Sequence, residues 1–435
     1  MKVNRAIIIL ACTLFFALAV RVTMLGVFAE KKSIESWEYG EIAKNIVSGN
    51  GYSLNYRGTT YRSIMPPAYP ILIAGIYKIT GNNKMAAIYF QIVLSCLTCI
   101  IIFLIARRIS NSTVANVAAF LFAFHPGLII YSTKNIHTLN LDILLFLSVI
   151  LFTMKLKESP SFKNALLLGS VFGITLLSRP TIMILPVVIL WLFIFLKERF
   201  SKKVILTLII ISTMAIPISG WVIRNYVVLK SNYASYDGKP ILCTSDTYVL
   251  WLGNNPNATG TAVIKDGTAI VINDKELMNK LSILHELEQR ELFKTEAIDF
   301  IKNNPAKFIK LYIKKLYYFW WFSPVSGILY PSYCLLLYKI YYVSILSFAL
   351  IGLVHLLSEK DHRMRSNTCL AFFFMIAISL FQAIYYVEGR HRWGVEPILM
   401  IFSAAGIVFL ATSTIEAIAV RKKRHETYFR KVKYL

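Results

Sequence analysis

Residues 84–108 read KMAAIYFQIVLSCLTCIIIFLIARR, a lysine followed by a charge-free run from Met85 to Ala106 that Arg107 and Arg108 close. A helix rises about 1.5 Å per residue, so the run crosses a hydrocarbon core of about 30 Å. The paired arginines mark its inner end, because spans are bounded by positive charge on the cytoplasmic side. The stretch reads as a membrane-spanning helix and sets the frame for what surrounds it.

Similar runs recur near 6–29, 113–132, 137–154, 164–179, 181–196, 204–223, 332–357, 368–387 and 395–417. Of the 435 residues 56% are hydrophobic and 16% charged, too apolar a balance for a soluble core. The runs are long rather than short and alternating, so the spans are helices and not barrel strands. The expected fold is an all-α integral membrane protein, a bundle of roughly ten transmembrane helices with outer-face interfacial helices and a long outer loop region. Residues 1–223 form an N-terminal transmembrane module with a first outer loop at 30–83, and 224–331 form an outer region with amphipathic helices. C-terminal transmembrane helices follow at 332–417, then a basic cytoplasmic tail at 418–435.

The formal charge of +24 does not point to nucleic acid, since the basic residues gather just beyond apolar runs instead of on one soluble face. Arg107 and Arg108, Lys155 and Lys157, Lys202 and Lys203, and Arg363 and Arg365 all fall in connections that one orientation puts inside. That orientation places both termini in the cytoplasm of a multi-pass plasma-membrane protein and both long polar segments on the outer face. Cys96-x-x-Cys99 lies mid-span without the strand and turn of a redox site and reads as packing.

Function is therefore sought outside. Glu35-Ser36-Trp37-Glu38-Tyr39 follows the first span, its two glutamates three apart on one helix face. A carboxylate held at the membrane surface is a candidate general base. Stretches 36–47 and 67–79 have the pattern and length of interfacial helices. Arginine is scarce on outer faces, yet Arg62, Arg179, Arg224, Arg390 and Arg392 all fall there. Their planar forks suit phosphate, which makes an outer-leaflet phosphate lipid the candidate ligand. The turn-rich loop from Trp251 to Gly260, with Asn254 and Asn255, offers donors to sugar hydroxyls, and Tyr39 stands beside the glutamates. Arg21, in the outer part of the first span, reads as structural or donor-side. His125 and His137 flank an outer connection with no further ligand at metal spacing, so neither a metal site nor a cofactor is expected.

The ordered series Arg21, Glu35-Ser36-Trp37-Glu38-Tyr39-Gly40-Glu41-Ile42-Ala43, Gly49-Asn50-Gly51-Tyr52 and Pro66-Pro67-Ala68-Tyr69-Pro70 resembles the GT-C superfamily of membrane glycosyltransferases. The likeness is to bacterial members of glycosyltransferase family 39, near the protein O-mannosyltransferases and the lipid A aminoarabinose transferases. Leu177-Ser178-Arg179-Pro180, Trp221-Val222-Ile223-Arg224-Asn225, Gly253-Asn254-Asn255-Pro256 and Arg390-His391-Arg392 with Glu396-Pro397 resemble later landmarks in the same order. The resemblance implies a polyprenyl-phosphate sugar donor and an acidic base in the first outer loop. Glu35 stands where aspartate is usual, with Glu38 the neighbouring candidate. A departure falls at Ile136-His137-Thr138-Leu139-Asn140, where relatives often carry a glutamate.

The reaction so implied moves a sugar from the lipid-phosphate donor to a glycan, lipid or protein acceptor on the outer face, with inversion by direct displacement. A multi-span transporter and an outer-face polysaccharide polymerase or ligase are the competing classes. Transporters, however, show repeats and broken helices around a midplane site.

Overall fold

The computed structural model describes residues 5–30, 34–56, 58–180, 184–328 and 331–432. Among them, seven helices are long and apolar enough to cross a membrane: Arg5–Val27, Lys84–Ile109, Leu139–Glu158, Phe200–Asn232, Ser332–Ser358, His362–Gln382 and Glu396–Arg421. The pair Ser112–Ala123 and Pro126–Thr133 makes an eighth if counted as one span, bent by 55°. Pro126 lacks an amide hydrogen and cannot continue the helix, and His125 Nδ1 accepts the Leu128 amide at 3.0 Å to start the second half.

The count of roughly ten is not reached among the described residues, and two segments account for the difference. The run at 164–179 is the helix Phe162–Ser178, of 17 residues, and that at 181–196 is Leu185–Phe195, of 11, with positions 181–183 outside the described residues. Eleven residues rise about 16 Å, half the hydrocarbon thickness. Apolar composition counted both as spans, but Pro180 and Pro186 confine the helices.

Close backbone contacts hold the bundle. A Cβ on Gly169 would stand 1.9 Å from Thr213 Oγ1, and one on Gly173 2.6 Å from the Met214 carbonyl, so Phe162–Ser178 lies directly on Phe200–Asn232. Gly352 serves the same purpose between Ser332–Ser358 and the last helix, where its Cβ would meet Phe402 O at 1.8 Å.

Short pairings tie the outer segments to the bundle. Glu35–Ser36 runs parallel to Asn135–Ile136, Glu35 opposite Asn135, which brings the first loop to the start of the helix Leu139–Glu158. The two expected interfacial helices are present as Glu38–Val47 and Ala68–Thr80. Gly40 lets the Ser36 side chain lie close against the first of them, since a Cβ there would displace the Ser36 hydroxyl. In the long outer region Trp251 and Leu252 pack with Phe293 and Ala297 of the helix Glu286–Asn303. Glu286 fastens that region to the first loop. Its buried carboxylate accepts hydrogen bonds from the amides of Arg62 and Ser63 at 2.9 and 3.3 Å, Thr244 Oγ1 at 3.0 Å and Tyr233 OH at 3.1 Å.

Candidate active site

Three helix junctions bring polar groups to one place. The Glu35–Ser36 strand lies against Asn135–Ile136; Arg179 ends the helix Phe162–Ser178 in extended backbone; and Glu388 to Arg392 precede the last span. Tyr39 stands between them. Its ring lies 5.3 Å from Tyr69 and 5.5 Å from His137. Burial pushes its phenol pKa up, the negative charges of Glu38 and Asp142 push the same way, and Arg179 and Arg390 oppose them. Two acids and two arginines therefore act on a single ring.

The two first-loop glutamates differ in setting. Glu35 is half exposed, its Oε1 2.8 Å from Lys134 Nζ and its Oε2 accepting from Trp37 Nε1 at 2.9 Å. The Glu38 carboxylate makes no hydrogen bond among the described residues, and its charge acts on the Tyr39 phenol. Both arginines have partners already. Arg179 Nη1 is 3.5 Å from Asp142 Oδ2, and Arg390 Nη2 is 2.9 Å from Glu388 Oε2. Asp142 is buried and also accepts from Thr138 Oγ1 at 2.8 Å and Ser178 Oγ at 2.6 Å. The pairs orient the guanidinium groups without filling all their donors.

Of the residues singled out from sequence, the structure gathers Glu35, Glu38, Tyr39, Arg179 and Arg390. Others lie elsewhere. Arg62 gives its amide to Glu286, while Arg224 Nη1 donates to Arg62 O at 2.7 Å and its guanidinium lies over Trp221. Arg392 is 1% exposed, bonds Glu396 Oε1 at 2.7 Å and Tyr338 OH at 2.8 Å, and covers the Tyr342 ring. Both side chains have structural partners away from the cluster, in which Arg179 and Arg390 are the two arginines.

The proposed sugar-binding loop is also turned inward. Trp251 Nε1 donates to Glu296 at 2.7 Å, and Asn254 and Asn255 are buried. Asn254 Oδ1 joins the Gly253 and Ile384 carbonyls in accepting from Lys315 Nζ, each at 3.1 Å. Lys315 is fully buried among these neutral acceptors, and burial pushes its ammonium pKa down to about 7. Arg21 takes the structural alternative: Nε donates to Ser95 Oγ at 3.0 Å and Nη1 to Ala123 O at 2.9 Å, at the bend after Ala123.

Sequence reasoning missed Asp142, which stands two residues beyond the stretch where an acid was sought. A lone carboxylate in an apolar run was the signal available. Also missed was Glu388 as the partner of Arg390. Among the described residues no three His, Cys, Asp or Glu side chains gather to hold a metal ion.

Residues 65–223 match the family described as dolichyl-phosphate-mannose-protein mannosyltransferase. The resemblance read from the sequence is borne out over that stretch, where the chain is similar to this family of membrane glycosyltransferases. Its fold is similar to the oligosaccharyltransferase of Archaeoglobus fulgidus, at 12% identity and a TM-score of 0.57, over 97% of this chain and 52% of that one. The chain thus spans about half the length of that relative. Structural likeness extends to ArnT from Cupriavidus metallidurans bound to undecaprenyl phosphate, at 12% identity and a TM-score of 0.47, over 91% of this chain and 59% of that one. It also includes the S. cerevisiae protein O-mannosyltransferase Pmt1-Pmt2 complex bound to the sugar donor, at 17% identity and a TM-score of 0.40, over 55% of this chain and 35% of that one. No curated protein matches the chain.

Proposed function

We propose that the protein transfers a sugar from a polyprenyl-phosphate donor to an acceptor at the outer face of the membrane. The observation that supports it is the meeting of Glu38 and Asp142 with Arg179 and Arg390 around Tyr39, with Glu35 on the short strand just before that helix. Nucleotide sugars are made in the cytoplasm, so an outward-facing site needs a sugar already carried across on a lipid. A phosphate held between the arginines leaves as the bond from the anomeric carbon to its oxygen breaks. The acceptor oxygen or nitrogen forms the new bond to that carbon, and its proton passes to Glu35, the half-exposed carboxylate that Lys134 holds in place. One displacement inverts the anomeric centre.

The outer placement is consistent with the helix count. With the bent pair counted as one span the crossings number eight, an even count that favours both termini on one side, and the clustering of lysines and arginines supports the cytoplasm as that side. Cysteines introduced near Asn50 or Ala258 should react with an impermeant thiol reagent from outside; reaction only after lysis overturns the orientation. Function is tested by mass spectrometry of envelope glycans and lipids from cells with and without the intact protein. Loss of one sugar modification with accumulation of its lipid-linked donor is expected, and unchanged profiles overturn the reading.

A further inference from the structure

His137 is held on the inner side of the site by three neighbouring rings. Trp37, Tyr39 and Tyr131 meet its imidazole edge on, with centroids at 5.6, 5.5 and 5.5 Å. Its backbone amide donates to Gln91 Oε1 at 2.9 Å, and its Nδ1 accepts the Leu139 amide at 3.1 Å. A ring nitrogen that accepts an amide proton carries none of its own, so the imidazole is neutral and its proton rests on Nε2. Burial, then the charges of Arg390 and Arg179, push its pKa well below the ordinary histidine value, in keeping with that geometry.

Among the described residues Nε2 meets no acceptor, and it is not one of the polar atoms sealed off without a partner. It is a fixed donor with nothing yet to donate to. Arg179 and Arg390 are each engaged by a carboxylate, at 3.5 and 2.9 Å, while Glu38 and Asp142 add negative charge around Tyr39. An anion entering there gains from one more N–H, and a neutral one supplies it without a charge that the neighbouring arginines would oppose.

We propose that His137 is a specificity-determining residue whose Nε2–H donates to an oxygen of the donor's phosphate. The proposal rests on the glycosyltransferase reading. A carboxylate at this position would repel the same oxygen, so the histidine sets what the site accepts.

The test is titration of the purified chain in nanodiscs with undecaprenyl phosphate, which carries the phosphate and no sugar, alongside a sugar-bearing donor. His137→Gln keeps an N–H near the Nε2 position and should bind within about twofold of the unaltered chain, while His137→Leu should bind about tenfold more weakly. Because the imidazole is neutral and a sugar-bearing phosphodiester does not titrate in this range, the difference measured with that donor should be the same at pH 6.5 and pH 8. Equal binding by the leucine variant overturns the proposal, as does a glutamine variant as weak as leucine, which marks a packing role. Weakening seen only with the sugar-bearing donor moves the bond to the sugar and overturns the phosphate assignment. If the unaltered chain binds no undecaprenyl phosphate, the glycosyltransferase reading falls as well; if it binds and the leucine variant is unimpaired, only the histidine assignment falls.

Discussion

Replacing Glu286 by alanine should release the outer region from the first loop. The carboxylate is 1% exposed and gathers two backbone amides and two hydroxyls from three separate segments. Hydroxyls rotate to other acceptors, whereas the Arg62 and Ser63 amides cannot, and an orphaned buried amide costs about 1–3 kcal/mol. Two of them, with the packing of the removed side chain, come to about 3–5 kcal/mol. Glu286→Gln keeps one acceptor but turns an NH2 group toward other donors, so it should fall between, at about 1–3 kcal/mol.

Hydrogen exchange in detergent micelles reads this directly. Local opening is governed by the free energy of the contacts that close it, so a loss of about 3 kcal/mol speeds exchange by about 10²-fold. The acceleration should appear in peptides covering 59–66 and 284–290, and not in the helix Lys84–Ile109. Unchanged exchange in the 59–66 peptide of the alanine variant would refute the reasoning, because the two amides would then have no need of the carboxylate.

Glu35→Gln, which keeps shape and removes basicity, should lower transfer by about 10²- to 10⁴-fold with donor binding preserved, and Glu38→Gln should do less. Full transfer by purified Glu35→Gln moves the base to Glu38. Alanine at Arg179 or Arg390 should weaken undecaprenyl phosphate binding by about 1–3 kcal/mol, with lysine restoring part of it, while Arg224→Ala should act on thermal stability instead. Equal binding losses at all three positions would contradict the structural assignment of Arg224. Lys315 has a folded pKa of about 7 against 10.5 for an unperturbed lysine, so the unfolded chain binds more protons between those values and stability rises with pH across that window. The slope is at most about 1.4 kcal/mol per pH unit, and thermal unfolding of Lys315→Met followed by tryptophan fluorescence should lose that slope.

The spans were legible because lipid imposes one simple demand, an uninterrupted apolar length, and 84–106 meets it unaided. Where prolines interrupt an apolar run, as between Ser178 and Leu185, composition alone does not say whether the short helices cross. The site was legible in part for a related reason. Charge rules show which face an arginine is on but not what it touches there. Arg179 and Arg392 look alike in sequence, yet one stands beside Asp142 in the cluster and the other is closed in by Glu396, Tyr338 and Tyr342. Their partners come from segments far along the chain, and no local spacing encodes those meetings. Asp142 was overlooked for the same reason, since its meaning depends on Ser178 and Arg179 arriving from another helix.

The buried knot around Arg392 also bears on how the chain is made. Glu396 Oε2 lies 2.6 Å from His125 Nε2, across 271 residues of sequence, and Tyr338 OH donates to Glu396 as well. Arg21, in contrast, finds Ser95 and Ala123 within the first 123 residues. A chain emerging from the ribosome can satisfy Arg21 early, but His125 and Tyr338 must wait in the bilayer until Glu396 has been synthesised. Insertion is therefore a staged process, and its last stage depends on a helix that arrives bearing its own charge. A ribosome stalled before residue 396 would leave the His125 imidazole, at the bend of the third span, and the Tyr338 phenol without their shared acceptor.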